Sequence, residues 1–246
     1  MAFRPRCGAK TAVKSPMHTT MILKFSISFA AGLLFSGCAS GPKPPDWQLE
    51  AKGSMERSVA AYMEGDRRVE TAELERARAQ LSRTGRPDLL GTAELLHCAT
   101  RVASAVFEPC TGFEKLRQDA PEAQRAYADY LAGDIQPQSI VLLPAPQRAA
   151  AAGNTAAISG IADPLSQLVA AGVLLKTGKA SPSVIGQAID TASAQGWRRP
   201  LLAWLNLLAQ RAEQGGDVEA AAKLRRRIAL TEGGISSVKE SAKENK

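Results

Sequence analysis

Histidine and cysteine, which often act as nucleophiles, bases or metal ligands, are few in this chain, and their spacing suits neither catalysis nor metal binding. The 246 residues include two histidines and four cysteines. His97 and Cys98 are adjacent in a helical pattern, where neighbouring side chains point about 100° apart and do not form a catalytic pair. A zinc site built from His97, Cys98 and Cys110 lacks a fourth ligand and a C-x-x-C pair. The sequence therefore predicts no catalytic residue, no metal and no cofactor.

Acidic pairs are the remaining candidates for catalysis. Glu73 and Glu75 lie where a polar helix surface is expected, and the chain has neither a glycine-rich phosphate loop nor a G-x-S-x-G sequence. We therefore expect a protein that is not an enzyme. Two alternatives stay open: a peptidoglycan hydrolase or lyase acting through a single glutamate, and a binder of small apolar ligands.

Cys38 stands where a short apolar segment gives way to a polar chain. Lys24 precedes an uncharged apolar run from Phe25 to Phe35, whose length of about eleven residues lies within the roughly 7–15 of a signal-peptide core. A membrane-spanning helix needs about 20 apolar residues. The segment Gly41-Pro42-Lys43-Pro44-Pro45 then ends any continuing helix.

The sequence Leu33-Leu34-Phe35-Ser36-Gly37-Cys38 resembles the lipobox of bacterial lipoproteins, with Phe35 at the position where that motif prefers leucine. The resemblance implies that the chain is cut before Cys38 and that the Cys38 thiol carries a diacylglyceryl group with palmitate-like chains. Ala39 then implies export to the outer membrane, with the protein anchored on its periplasmic face. The resemblance also predicts that residues 1–37 are a leader and signal peptide, which either starts at Met21 or Met17 or is made in full and removed.

Removing the leader changes the charge of the chain. The net charge of +7 falls to near +2, because residues 1–37 hold five of the 31 Lys and Arg and none of the 24 Asp and Glu. Arg225-Arg226-Arg227 is then the one dense basic run, and a run of this size on a helix is typical of a solvated face. Because nucleic-acid binding needs a concentrated basic surface, we expect no nucleic-acid partner.

Cys98 and Cys110 remain as the two cysteines that could pair in an oxidising compartment. A disulfide between them would close a loop of about a dozen residues and stabilise the fold by roughly 2–3 kcal/mol. The alternative is two reduced, buried thiols that pack as small apolar residues.

The sequence predicts an all-α fold, either a helical bundle or a short α-solenoid of about eight helices. Alanine and leucine are abundant, and aromatic residues make up 5% of the chain, which favours close-packed helices over a β-sandwich. Asp163-Pro164 and Ser181-Pro182 are typical helix starts, since an oxygen acceptor precedes a residue without an N–H group. Helix pairs are predicted near 53–64 with 66–83 and near 199–214 with 217–230.

These two end pairs resemble the tetratricopeptide repeat, through Gly65-Asp66, Leu74 and Ala77 in the first and Ala212, Gly216-Asp217 and Ala221 in the second. Glu70 stands where the repeat has alanine. The predicted organisation is a lipidated linker over 38–50, an N-terminal helical half over 51–145, a loosely packed Ala/Gly-rich connection over 146–162, a C-terminal helical half over 163–231 and a disordered tail over 232–246.

Similarity to tetratricopeptide lipoproteins implies a scaffold that binds an envelope protein during envelope assembly, secretion or cell-wall organisation. Tryptophan and arginine are enriched at protein interfaces. The predicted contact residues are the densest group of these types, Trp197, Arg198, Arg199 and Trp204. The alternative for this group is a tryptophan core with solvated arginines.

Overall fold

The computed structural model describes residues 43–233, and all regular structure in that range is helical, which confirms the all-α class. Cys38, the leader and the chain after residue 233 lie outside the described residues. Three short 3-10 helices cover Arg117–Asp119, Pro137–Leu142 and Thr155–Gly160. The α-helices are α1 Asp46–Glu64, α2 Arg67–Ser82, α3 Pro87–Ala103, α4 Thr111–Glu114, α5 Glu122–Ala132, α6 Ala145–Ala151, α7 Pro164–Lys176, α8 Pro182–Ala194, α9 Arg198–Gln214 and α10 Val218–Gly233.

The described residues hold ten α-helices and three 3-10 helices, more than the eight or so helices predicted, and eight of the α-helices have eleven or more residues. Their starts follow the sequence signals. The Asp66 side chain accepts hydrogen bonds from the Arg68 and Val69 amides at the start of α2. Asp163 accepts from the Ser166 amide at 2.8 Å at the start of α7, so the predicted Asp-Pro helix start is confirmed.

α1 begins earlier than predicted. The predicted linker includes residues 46–50, but these residues are helical and follow Pro45 directly. Pro45 ends the extended segment with φ −56° and ψ 146°, and Asp46 lies in the first turn, where a negative charge is favourable. Pro45 therefore lies directly before the first residue of α1, with no linker between them.

The segment over 146–162 is not the loosely packed connection that its alanine content suggested. It contains most of α6 and the 3-10 helix Thr155–Gly160, and the Gln147 and Ile158 side chains are fully buried. Gln147 accepts a hydrogen bond from the Tyr130 hydroxyl and donates one to the Ser166 carbonyl. These two bonds tie the segment to α5 and α7.

Buried side chains from both predicted halves form the larger of two core clusters, and the smaller cluster lies among α1, α2 and α3. Trp204 of α9 is fully buried, and its indole Nε1 donates a hydrogen bond to the Ala103 carbonyl at 2.9 Å, at the end of α3. α3 and α7 approach each other closely at Gly172, where a Cβ atom would lie 2.1 Å from the Val102 carbonyl oxygen. The two halves are therefore joined by close helix packing.

Gly172→Ala should destabilise the protein by about 1–3 kcal/mol, because the added methyl group meets backbone that cannot rotate away. Gly186→Ala is the matched control, since nothing lies within 4 Å of its Cβ position in α8. That change should stabilise by roughly 0.5–1 kcal/mol, as expected for glycine to alanine in a helix. Urea unfolding followed by circular dichroism measures both, and equal stabilities for the two variants would contradict the close crossing.

Candidate functional site

An apolar groove of about 590 Å³ runs between α1 and α3 and opens to solvent along one side. α1 contributes a stripe in which residues recur every four positions, from Ala51 through Met55 and Val59 to Met63. α3 contributes Leu89, Ala93 and Leu96. The rest of the apolar lining comes from α2, the start of α7, the turn before α9 and two further positions of α1, at Leu81, Leu165, Trp197, Trp47 and Ala60.

Few polar side chains reach this groove. Lys52 and Glu56 lie on its α1 side, where the Lys52 Nζ is 3.8 Å from the Glu56 Oε1, and both side chains are exposed. Gln48 and Thr92 are the other polar residues of the lining. The groove therefore offers an apolar ligand a large contact area, with a pair of opposite charges at its margin.

One aromatic ring joins the helices around the groove, in an arrangement that we call the Tyr62 junction. The guanidinium carbons of Arg101 in α3 and Arg199 in α9 lie 4.4 and 4.5 Å from the centre of the Tyr62 ring. The Arg199 Nε also donates a hydrogen bond to the Tyr62 carbonyl at 2.7 Å. Tyr62 is 3% exposed, and burial raises the pKa of its hydroxyl. Three helices are thus fixed to one neutral ring.

Three glutamates of α2 and α3 are buried, which corrects the expectation that the Glu73 carboxylate lies on a polar surface. Glu70, Glu73 and Glu94 are 4%, 6% and 4% exposed. The Glu73 carboxylate pairs with Arg57 at 2.9 Å and also with Arg76. Hydrogen bonding to Arg57 is the main cause that lowers the pKa of Glu73. A signal was present in the sequence, because the buried side chains of α2 recur at helical spacing, at Glu70, Glu73, Leu74, Ala77 and Leu81.

Each of the other two carboxylates is also held by arginine. Arg101 donates to the Glu70 Oε1 at 2.5 Å, and Arg78 donates to both oxygens of Glu94 at 2.6 and 2.7 Å. The Gly112 backbone lies against Glu94, where a Cβ atom would be 1.9 Å from the carboxylate. Carboxylates bound in this way are acceptors in fixed ion pairs and are poorly placed to transfer a proton to a substrate.

His97 lies at the edge of the same cluster, with its Nε2 atom 3.5 Å from the Glu70 Oε1. Burial is the main cause that lowers the pKa of His97; the positive charge of Arg101 lowers it further, whereas Glu70 opposes the shift. The next residue, Cys98, forms a disulfide with Cys110 across a Cα–Cα distance of 5.7 Å, which links α3 to the start of α4. The His97 and Cys98 pair therefore offers no free thiol.

The four predicted contact residues do not share a surface. Trp204 is fully buried in the core, and Arg199 belongs to the Tyr62 junction. Arg198 is exposed and donates to the Glu232 carbonyl at 3.0 Å. Trp197 is half-buried and lines the groove, so it is the member of the group that a ligand in the groove would touch.

Within residues 43–233, no helix combines the length and apolarity needed to cross a membrane. The same range holds no group of three or more His, Cys, Asp or Glu side chains arranged to bind a metal ion. The chain matches no protein-family profile, no curated protein sequence and no solved structure.

Arg101→Met should lower the free energy of unfolding by about 3–5 kcal/mol, because it leaves the buried Glu70 carboxylate without its cation. The double variant Arg101→Met with Glu70→Leu should be more stable than Arg101→Met alone, since it no longer contains the unpaired, buried Glu70 carboxylate. Chemical denaturation of both variants measures this. A loss below about 1 kcal/mol for Arg101→Met would show that the pair behaves like a surface ion pair.

Stability should fall as the pH is lowered from 6.5 toward 5 because of His97. The unfolded histidine protonates near its ordinary pKa of 6.5, whereas the folded one, with its lowered pKa, stays neutral to lower pH. The unfolded state thus binds more protons in this window. The pKa values of the Glu73, Asp88 and Glu114 carboxyl groups are also lowered, and they reduce stability only at lower pH, as it falls below the ordinary carboxylate pKa. Chemical denaturation at several pH values in this range should show that the free energy of unfolding declines less steeply for His97→Gln than for the unchanged protein. Equal declines for the two proteins would show that His97 does not cause the loss of stability.

Proposed function

We propose that this protein is a lipid-anchored envelope protein whose helical domain works by binding an apolar partner in the groove between α1 and α3. The groove is the observation that carries the proposal. Buried side chains such as Ala51 and Met55 form its floor. Half-buried side chains such as Val59, Leu89 and Leu96 form its walls, and a concave, mostly apolar surface of this kind is typical of a ligand site.

The proposed anchor is a diacylglyceryl group on Cys38. In forming it, the Cys38 sulfur binds the terminal glycerol carbon of a glycerophospholipid, the carbon–oxygen bond to the phosphate breaks, and the head group leaves with the thiol proton. Water then hydrolyses the Gly37–Cys38 peptide bond. The lipobox resemblance supports this step, and the Cys98–Cys110 disulfide suits the oxidising periplasm.

The proposed role is that of a scaffold on the periplasmic face of the outer membrane, in envelope assembly, secretion or cell-wall organisation. An array of helices with an open groove is a known way to receive an apolar segment. Binding is better supported than cell-wall hydrolysis, because the buried carboxylates Glu70 and Glu94 are held by arginines and lie outside the groove lining.

Leu96→Arg should weaken binding of the uncharged fluorescent probe N-phenyl-1-naphthylamine by roughly tenfold or more, because it places a charge in an apolar site. Leu49→Arg is the matched control, since Leu49 is 44% exposed and lies on α1 outside the groove lining. A fluorescence titration of each folded variant gives the dissociation constant. If both changes weaken binding equally, or if neither weakens it, the groove is not the binding site.

A further inference from the structure

We propose that the occupant of the groove is a single acyl chain of a membrane phospholipid, presented to the groove by the bilayer to which Cys38 tethers the domain. This rests on the anchor and the groove proposed above, and it names the ligand class of that same site.

The position of the groove along the chain is the first argument. Trp47 lines the groove in the first turn of α1 and follows Cys38 by only nine residues. Nine residues reach at most about 30 Å when fully extended, and Pro44 and Pro45 precede the helix. An anchored domain therefore keeps the Trp47 end of its groove within this distance of the bilayer surface, where phospholipid is far more concentrated than any soluble partner.

The length of the groove is the second argument. Its α1 wall runs from Trp47 to Met63, which corresponds to about 24 Å along the helix axis. Half of the roughly 30 Å hydrocarbon core of a bilayer is about 15 Å, the reach of one acyl chain. One chain therefore fits lengthwise with room for the start of the head group.

The chemistry of the lining is the third argument. Leucine, valine and methionine side chains suit a hydrocarbon chain, which needs no hydrogen bonds. Lys52 and Glu56 leave the margin without a net charge, so it does not complement the charged face of an amphipathic peptide. Trp47 and Trp197 are half-buried in the lining, and tryptophan favours the interface between bilayer and water.

Exchange with the bilayer follows from this chemistry. An acyl chain that moves from the bilayer into the groove meets water along the open side, but it also covers apolar groove surface that was in contact with water, so the two changes in hydrophobic free energy oppose each other. The groove would therefore share a lipid chain with the membrane reversibly and cover it whenever it leaves the bilayer.

Photo-crosslinking of the native, processed protein tests this occupant. The photoreactive residue p-benzoylphenylalanine replaces Leu96 in the groove or, as the control, Leu49 on the outside of α1. After intact-mass measurement has established acylation, the protein is placed in vesicles of palmitoyl-oleoyl-phosphatidylcholine and irradiated. The chain labelled at 96 should gain the mass of one phosphatidylcholine, the chain labelled at 49 should not, and Val59→Glu should abolish the adduct at 96. A probe at Leu89 repeats the test if the substitution at 96 prevents folding.

The other outcomes overturn the proposal in distinguishable ways. Equal adducts at 49 and 96 would mean general contact with the bilayer. A crosslink from 96 to the acyl group of Cys38 itself would make the anchor the occupant. A protein adduct in native membranes without a lipid adduct in vesicles would refute the lipid but keep the binding groove. No adduct in either setting would refute both, and an unacylated native product would refute the anchor.

Discussion

The Tyr62 junction is the contact on which the arrangement of the other helices depends. Its ring receives Arg101 from α3 and Arg199 from α9, and the Tyr62 carbonyl accepts a hydrogen bond from Arg199. Met63 is the next residue of α1 and Trp197 lies two residues before Arg199, and both line the groove. A contact between three helices that are distant in sequence therefore also sets the spacing of the groove walls.

The buried glutamates explain how α2 packs without a fully apolar face. Glu70 pairs with Arg101 of α3, which brings the ion pair to the Tyr62 junction, and Glu94 of α3 pairs with Arg78 of α2. These directional bonds hold α2 and α3 in one register, whereas apolar contacts alone would tolerate sliding. Leu89, Ala93 and Leu96 of α3 remain available to form the wall opposite α1.

Local signals made the helices predictable, and distant partners made the site unpredictable. The cap at Asp66 and the Asp163-Pro164 start act within one turn, so the sequence is enough to place α2 and α7. The burial of Glu70 depends on Arg101, 31 residues away, and sequence periodicity does not reveal that pairing. The groove was missed because α1 was expected to start after Trp47, which removed the first turn of the wall. The helical segment over 146–162 was missed because alanine-rich sequence says little about what its few large side chains contact.

The groove, the Tyr62 junction and the proposed anchor are connected through one helix. The same helix, α1, carries the groove wall, bears the Tyr62 junction and follows the predicted anchor. The most direct test is the affinity of Arg199→Met for N-phenyl-1-naphthylamine under conditions where the variant is fully folded. The Arg199 contact with the Tyr62 ring contributes about 0.5–2 kcal/mol to the fold, and its loss should let α9 and Trp197 move and so weaken binding of the probe. Unchanged affinity in a folded but less stable variant would show that the junction supports the fold without shaping the groove.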